Sequence, residues 1–289
     1  MMKQLFFFHL FTFYTSSRVL GISACFLLFT LNCTAQASDT EQLTPTFSLI
    51  KSIPVNASFC TTDNLEQLYT VVDDELSKYS DNGILLHTYS NKILGNISFV
   101  DAANPLRLLL FYRDFVQIIF LDKTLSAIGG NILLENLGFE QAILTCTSNN
   151  NGFWLYDTQD FQLIRLDQNL KTTHNSGPIN QLLGIEILPK YLIEYNNFIY
   201  LNDPERGILV FDIYGTYYKT IPLRGLTSFQ VIGDNLFYFS NNTLNSHHLK
   251  TLEASTIDLP DTGIVSVRIE KQKLFLLKEK SLDIYSINH

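Results

Sequence analysis

Charge is scarce in this chain, and positive charge scarcer still: 17% of residues are charged, with 20 Lys and Arg against 28 Asp and Glu. The net charge of −8 comes with no cluster of cations to replace phosphate counterions, which excludes a nucleic-acid binder. Cysteine is nearly absent. Of the 4 present, Cys25 and Cys33 fall in an N-terminal apolar segment, leaving Cys60 and Cys146. Two cysteines cannot make the disulfide framework of a small secreted scaffold, so both read as buried, unpaired hydrophobes. Helical periodicity is also sparse, and only residues 131–144 could carry a turn of helix. There is no H-E-x-x-H, no D-x-D-x-D-G loop and no G-x-S-x-G elbow. These absences leave no catalytic, cofactor or metal residue to assign, and none is assigned.

What is abundant is apolar and aromatic: 46% hydrophobic residues, with 22 Phe and 14 Tyr. They recur in phrase form. A turn residue precedes an apolar strand six times, before LEQLYTVV, PLRLLLFY, FWLYDT, FIYLND, LFYFSN and KLFLLK. The turn centres Asn64, Asn104, Asn150, Asn197, Asn235 and Gln272 lie 40, 46, 47, 38 and 37 residues apart. The mean of about 42 is the length of one four-stranded propeller blade. Alternation within the phrases fits blades covered on both faces: in FWLYDT, Phe153, Leu155 and Asp157 point one way while Trp154, Tyr156 and Thr158 point the other.

The expected fold is therefore all-β, a six-bladed β-propeller. The sixth repeat, IVSVRIEK, KLFLLKE and SLDIYSI, is one strand short before the chain ends at His289. A spare strand, FSLIKSIP from Phe47 to Pro54, precedes the first repeat. Pairing it with the last blade would close the ring and remove two open edges. The second repeat is expected to end with TLSAIGG, residues 124–130, as its outer strand.

Residues 1–37 read as a signal peptide and 38–289 as a single propeller domain. Lys3 and Arg18 precede an uncharged run from Val19 to Leu31, and Ala35-Gln36-Ala37 supplies the small-x-small end. The mature chain is then exported, periplasmic or outer-membrane-associated. Membrane attachment enters only through an uncleaved signal or a lipid on Cys25 or Cys33.

In the fourth repeat, YLNDPERGILVFDIYGTYYKT resembles the NHL repeat through Asp203, Arg206, Val210, Phe211, Asp212 and Gly215, with weaker echoes in repeats two and three. The resemblance implies architecture only, because such propellers include enzymes, scaffolds and sensors. The Asp after each third strand (Asp122, Asp167, Asp212) reads as a turn residue bonding its own backbone. In composition and phrasing the chain also resembles small periplasmic propellers of Bacteroidota-type bacteria, some of which serve the type 9 secretion system. That likeness implies a protein partner in the cell envelope.

Two functions follow. The first is a protein-binding or scaffold module whose partner surface lies in the loops Asn91 to Asn96, Asn131 to Glu140, Asn175 to Ile185 and Asp203 to Arg206. The candidate contact residues are Asp203, Glu205, Arg206, Asn175 and Asn136. The second is an exported hydrolase, lactonase-like or glycan-cleaving, with a cation in the central channel. It would need inward side chains from several inner strands, the candidates being Asp101, Asn149, Glu194, Asp234 and Glu270.

Overall fold

A computed structural model describes residues 45–288. The signal-peptide segment, residues 1–37, lies outside the described residues. Within them stand 24 strands in six four-stranded antiparallel sheets. The first strand, β1 (Thr46–Pro54), is set apart from those that follow it in sequence. Blade 1 contains β2 (Phe59–Thr62), β3 (Leu68–Val72), β4 (Glu75–Tyr79) and β5 (Leu85–Ser90). Blade 2 contains β6 (Phe99–Asp101), β7 (Leu108–Tyr112), β8 (Gln117–Leu121) and β9 (Ile132–Leu133). Blade 3 is β10 (Ala142–Thr147), β11 (Phe153–Asp157), β12 (Gln162–Leu166) and β13 (Thr172–Asn175). Blade 4 is β14 (Tyr191–Tyr195), β15 (Phe198–Asp203), β16 (Gly207–Asp212) and β17 (Tyr217–Ile221). Blade 5 is β18 (Gln230–Ile232), β19 (Asn235–Ser240), β20 (Thr243–His248) and β21 (Ala254–Ile257). The last sheet orders β22 (Ile264–Glu270), β23 (Lys273–Lys278), β24 (Ser281–Asn288) and then β1.

The apolar alternation explains how the sheets join. Each strand presents successive side chains to opposite faces, so each middle strand feeds two cores. Leu108, Leu110 and Tyr112 pack with Tyr69 and Leu76 of blade 1, while Leu109 and Phe111 pack with Phe153 and Leu155 of blade 3. Trp154 and Tyr156 turn the other way, onto Leu201 and Phe211 of blade 4. Further cores join blade 4 to 5, through Tyr200, Val210 and Leu236, and blade 5 to 6, through Leu244, Leu274 and Leu276. The remaining core joins the two ends of the chain. Ile53 of β1 and Phe275, Leu282 and Ile284 of the last blade pack with Cys60 and Leu68 of blade 1. All six neighbouring blades therefore share an apolar interface.

β1 pairs antiparallel with β24 from Thr46 opposite Asn288 to Pro54 opposite Ser281, with one irregularity between Leu49 and Lys51. Asp283, buried on β24, fastens this edge from both sides. It accepts from Ser52 Oγ of β1 at 2.5 Å and pairs with Lys278 Nζ of β23 at 2.7 Å.

Turn chemistry sets the strand ends. Asn196 and Asn197 both hold positive φ, 47° and 64°, in the two-residue turn joining β14 to β15. Such a turn matches strand twist, and Asn tolerates the left-handed region that it needs. In blade 5 the same position is taken by Gly233 and Asp234, one residue ahead of the expected centre at Asn235. Asp122, Asp167 and Asp212 each accept from the backbone N–H groups two and four residues on. Asp63 does the same toward Leu65 and Gln67. The turn-residue reading of these aspartates is thus seen directly.

Two expectations need correction. TLSAIGG does not form the outer strand of blade 2. That segment makes one bridge, Leu121 to Ala127, and the short β9 takes the place further on, after Gly129 and Gly130. The long connection after β13 also carries an unforeseen helix, α1 (Ile179–Leu183), which buries Ile179. The turn of helix considered within residues 131–144 is a 3-10 turn, Leu134–Leu137. Cys60 and Cys146 are free and buried, as the sequence implies.

If the joint between the chain ends is part of the core, Ile284→Ala should cost about 2–5 kcal/mol in denaturant unfolding, the range for deleting a buried aliphatic side chain. Leu49→Ala on the exposed part of β1 should stay within about 0.5 kcal/mol.

Candidate functional site

The antiparallel order of each blade sorts its links onto two faces. The turns after the inner strands β2, β6, β10, β14, β18 and β22 lie at one end of the ring. The turns after the second strands lie at the other, together with the connections between blades. Hydrogen bonds tie that second set together: Ile97 N to Asp73 O, Leu134 N to Val116 O, Ile179 N to Phe161 O and Gly225 N to Pro204 O. We call these the turn face and the connection face.

Aromatic rings from the inner strands converge on the axis. Phe59, Phe99, Tyr191 and Phe229 form a chain of tilted and edge-on contacts with centroids 5.8, 5.7 and 5.3 Å apart. Offset and edge-on arrangements of this kind are the favoured ones for aromatic pairs. Phe59, Phe99 and Tyr191 open their strands and Phe229 immediately precedes β18, so all four stand toward the connection face, and Tyr191 and Phe229 line the floor of a cup that opens on the turn face. The cup has a volume of about 360 Å³ and is lined by the far ends of the inner strands, with Asp63, Asp101, Glu194, Arg268 and Glu270 as its charged residues. A second cleft of about 290 Å³ adjoins it between blades 2 and 3, where Asn149, Arg107 and Glu194 meet.

Most of the carboxylates are engaged. Asp63 accepts Tyr69 Oη at 2.8 Å besides its two backbone N–H groups. Asp101, buried, accepts Ala103 N with one oxygen and both Thr147 N and Thr147 Oγ1 with the other, which ties blade 2 to blade 3. Glu194 accepts Trp154 Nε1 at 2.8 Å and Asn149 N at 3.4 Å, tying blade 4 to blade 3. Gln230 bonds both N–H and C=O of Ile269, and Tyr195 Oη accepts Gly233 N. These inward polar groups lock neighbouring inner strands together, since a buried donor or acceptor left without a partner is costly.

Glu270 is different. Among the described residues its carboxylate accepts no hydrogen bond. Burial raises its pKa, Asp63 and Glu66 add to the rise, and Lys271 opposes it. Arg268 stands two residues earlier on the same strand and is 8% exposed. Its one hydrogen bond among the described residues runs from Nη2 to Tyr191 Oη, across the axis, at 3.2 Å.

Of the hydrolase candidates, Asp101, Glu194 and Glu270 therefore share the cup, and Asn149 stands beside it. Asp234 does not join them; it lies between blades 4 and 5 in an ion pair with Lys250 at 2.7 Å. Among the described residues no group of three His, Cys, Asp or Glu side chains is arranged to hold a metal ion.

The candidate partner residues lie elsewhere. Asn136 is exposed in the 3-10 turn after β9, Asn175 is exposed at the end of β13, and Glu205 and Arg206 are exposed in the turn after β15. Asp203 is not on the surface. It is 2% exposed, and its carboxylate accepts the backbone N–H groups of Leu188, Glu205 and Arg206. It shapes the turn that displays its neighbours. Sequence reasoning missed Arg268 and Tyr191, which carry no motif and meet only because the ring closes.

No family model and no curated protein matches this chain. Solved structures do. The WD40 domain of Neurospora crassa Pan2 matches over 84% of this chain and 96% of its own length, with 8% identity and a TM-score of 0.61. A streptogramin B lyase matches over 85% and 98%, with 9% identity and a TM-score of 0.57. BBS1N, solved in complex with ARL6DN, matches over 78% and 77%, with 14% identity and a TM-score of 0.52. The fold is a six-bladed β-propeller. At these identities the likeness shows the propeller fold and nothing finer.

The partly buried Glu270 carboxyl, unpartnered among the described residues, makes stability depend on pH. A carboxyl whose folded pKa is raised holds its proton more firmly in the folded state, so stability falls as pH rises from the unfolded value through the folded one. Glu270→Gln should therefore be at least as stable as the parent at neutral pH. It should also flatten the loss of stability above about pH 4.3, the ordinary glutamate value, in urea titrations across the acid range.

Proposed function

We propose that this chain is an exported, non-enzymatic propeller that acts as a protein-binding or scaffold module of the cell envelope, an accessory part of a secretion or envelope machine. The observation that carries the reading is apolar exposure on the connection face. Ile93, Phe115, Leu182 and Leu188 are 86%, 50%, 56% and 57% exposed. All sit in blade connections or the turns bonded to them. A Cβ added at Gly95 would stand 3.9 Å from the Phe115 ring, so the first connection lies against that turn. Glu205 and Arg206 are exposed in a further turn of the same face. Apolar anchors with a charged rim are the usual make-up of a protein interface, and large exposed apolar groups in clusters mark such surfaces.

Among the structural neighbours, BBS1N is a propeller solved with a protein partner, which supports the same use of the fold here. The hydrolase reading needs carboxylates free to bind a channel cation. Asp101 and Glu194 are held by N–H and O–H donors, and Glu270 alone is not, so the scaffold reading is the one put forward. Export rests on the signal-like character of residues 1–37.

A photo-crosslinking residue in place of Leu188 should trap a discrete adduct in cell-envelope fractions. The adduct should be lost with Ile93→Asp and kept with Leu252→Asp, an exposed site in a turn after a third strand. No adduct, or one indifferent to Ile93, would count against this surface. Removal of residues 1–37 should leave the protein in the cytoplasmic fraction.

A further inference from the structure

A guanidinium cannot shed its charge, and among the described residues the five N–H donors of Arg268 meet one acceptor. No described carboxylate forms an ion pair with it; the ion pairs present involve Lys250, Lys271, Lys273 and Lys278. Buried charges without a partner are costly and are normally paired. Asp101 on blade 2 adds a favourable charge, but both its oxygens are already engaged by Ala103 and Thr147. Arg268 nonetheless lines an open cup of about 360 Å³, the size of a small-ligand site. We infer that the cup binds a carboxylate on Arg268, with a cationic group of the same ligand placed against Glu270.

The second half of that statement comes from strand geometry. Arg268 and Glu270 are alternate residues of β22, so they face the same side, about 7 Å apart along the strand. A dianion or an acidic peptide would be repelled by the rim of Asp63, Asp101, Glu194 and Glu270. A ligand with one carboxylate and a cation several ångströms away satisfies both ends. Lysine and arginine have that spacing between carboxylate and side-chain cation. They supply it as free amino acids or as the C-terminal residue of a peptide chain. Tyr191 fixes the guanidinium through its Oη, and the ring of Phe229 against Tyr191 gives the aliphatic stem an apolar wall. The site opens on the turn face, opposite the proposed partner surface, so the two readings succeed or fail separately.

Calorimetric titration of the full chain with L-lysine, the tripeptide Ala-Ala-Lys and its C-terminal amide tests the assignment. The free acid should bind, and the amide should bind at least about tenfold more weakly, because the charge-assisted bonds to Arg268 are lost. Arg268→Gln should weaken the free acid by about tenfold or more, and Arg268→Lys by less. Glu270 is partly buried and accepts no hydrogen bond among the described residues, so Glu270→Gln removes no contact the fold uses. It should weaken L-lysine while leaving the much weaker binding of norleucine unchanged. Tighter binding of the tripeptide than of L-lysine identifies a chain terminus as the source, and the reverse order identifies the free amino acid. Equal affinity for acid and amide, no effect of Arg268→Gln in a folded protein, or no binding of any probe at millimolar concentration would overturn the inference.

Discussion

The antiparallel pairing of β1 with β24 is the constraint on which the rest of the molecule depends. It joins segments more than two hundred residues apart, so its entropy cost is that of closing nearly the whole chain. What offsets that cost is the apolar joint beside it, where Ile53 and Ile284 pack with Cys60 and Leu68 of the first blade. Without the joint, β24 would present an unpaired edge, and Cys60 and Leu68 of the first blade would lose the apolar cover of Ile53. With it, every blade has a neighbour on both sides, and the inner strands are held at fixed distances around one axis.

That fixed spacing creates the cup. Arg268 of the last blade reaches Tyr191 of the fourth, and Glu194 of the fourth reaches Trp154 of the third, only because the ring sets where each inner strand stands. The polar contacts between inner strands and the aromatic floor then act together. Tyr191 and Phe229 give the cup an apolar base, and the hydrogen-bonded carboxylates tie its rim together. Arg268 and Glu270 are left as the two charged groups of the cup whose bonding capacity the described residues do not fill.

Blade number, blade limits and the two-sided packing of the middle strands were legible in the sequence, because each rests on local chemistry. Turn residues with positive φ, such as Asn196 and Asn197, and alternation such as Phe153 against Trp154 need only a few neighbours to be read. The misplaced outer strand of blade 2 shows the limit of that reading. TLSAIGG has strand-like residues, but the two glycines that end it let the chain turn away, and Ile132 and Leu133 pair instead. Asp203 shows another limit. Its position in an acidic turn suggests exposure, yet three backbone N–H groups draw its carboxylate inward.

The cup itself was half legible. Asp101, Glu194 and Glu270 could be named as inner-strand carboxylates, but their engagement or freedom depends on partners from other blades. Arg268 could not be singled out at all, since no spacing marks a cation that meets its partner across a ring. Closure is the claim beneath all of this, and hydrogen exchange read by mass spectrometry tests it most directly. About half of the amides of residues 46–54, those that donate to β24, should be protected like those of β23, while the rest face the open edge of the sheet. Exchange of that peptide at the rate of an unstructured tail, with β23 still protected, would contradict the account.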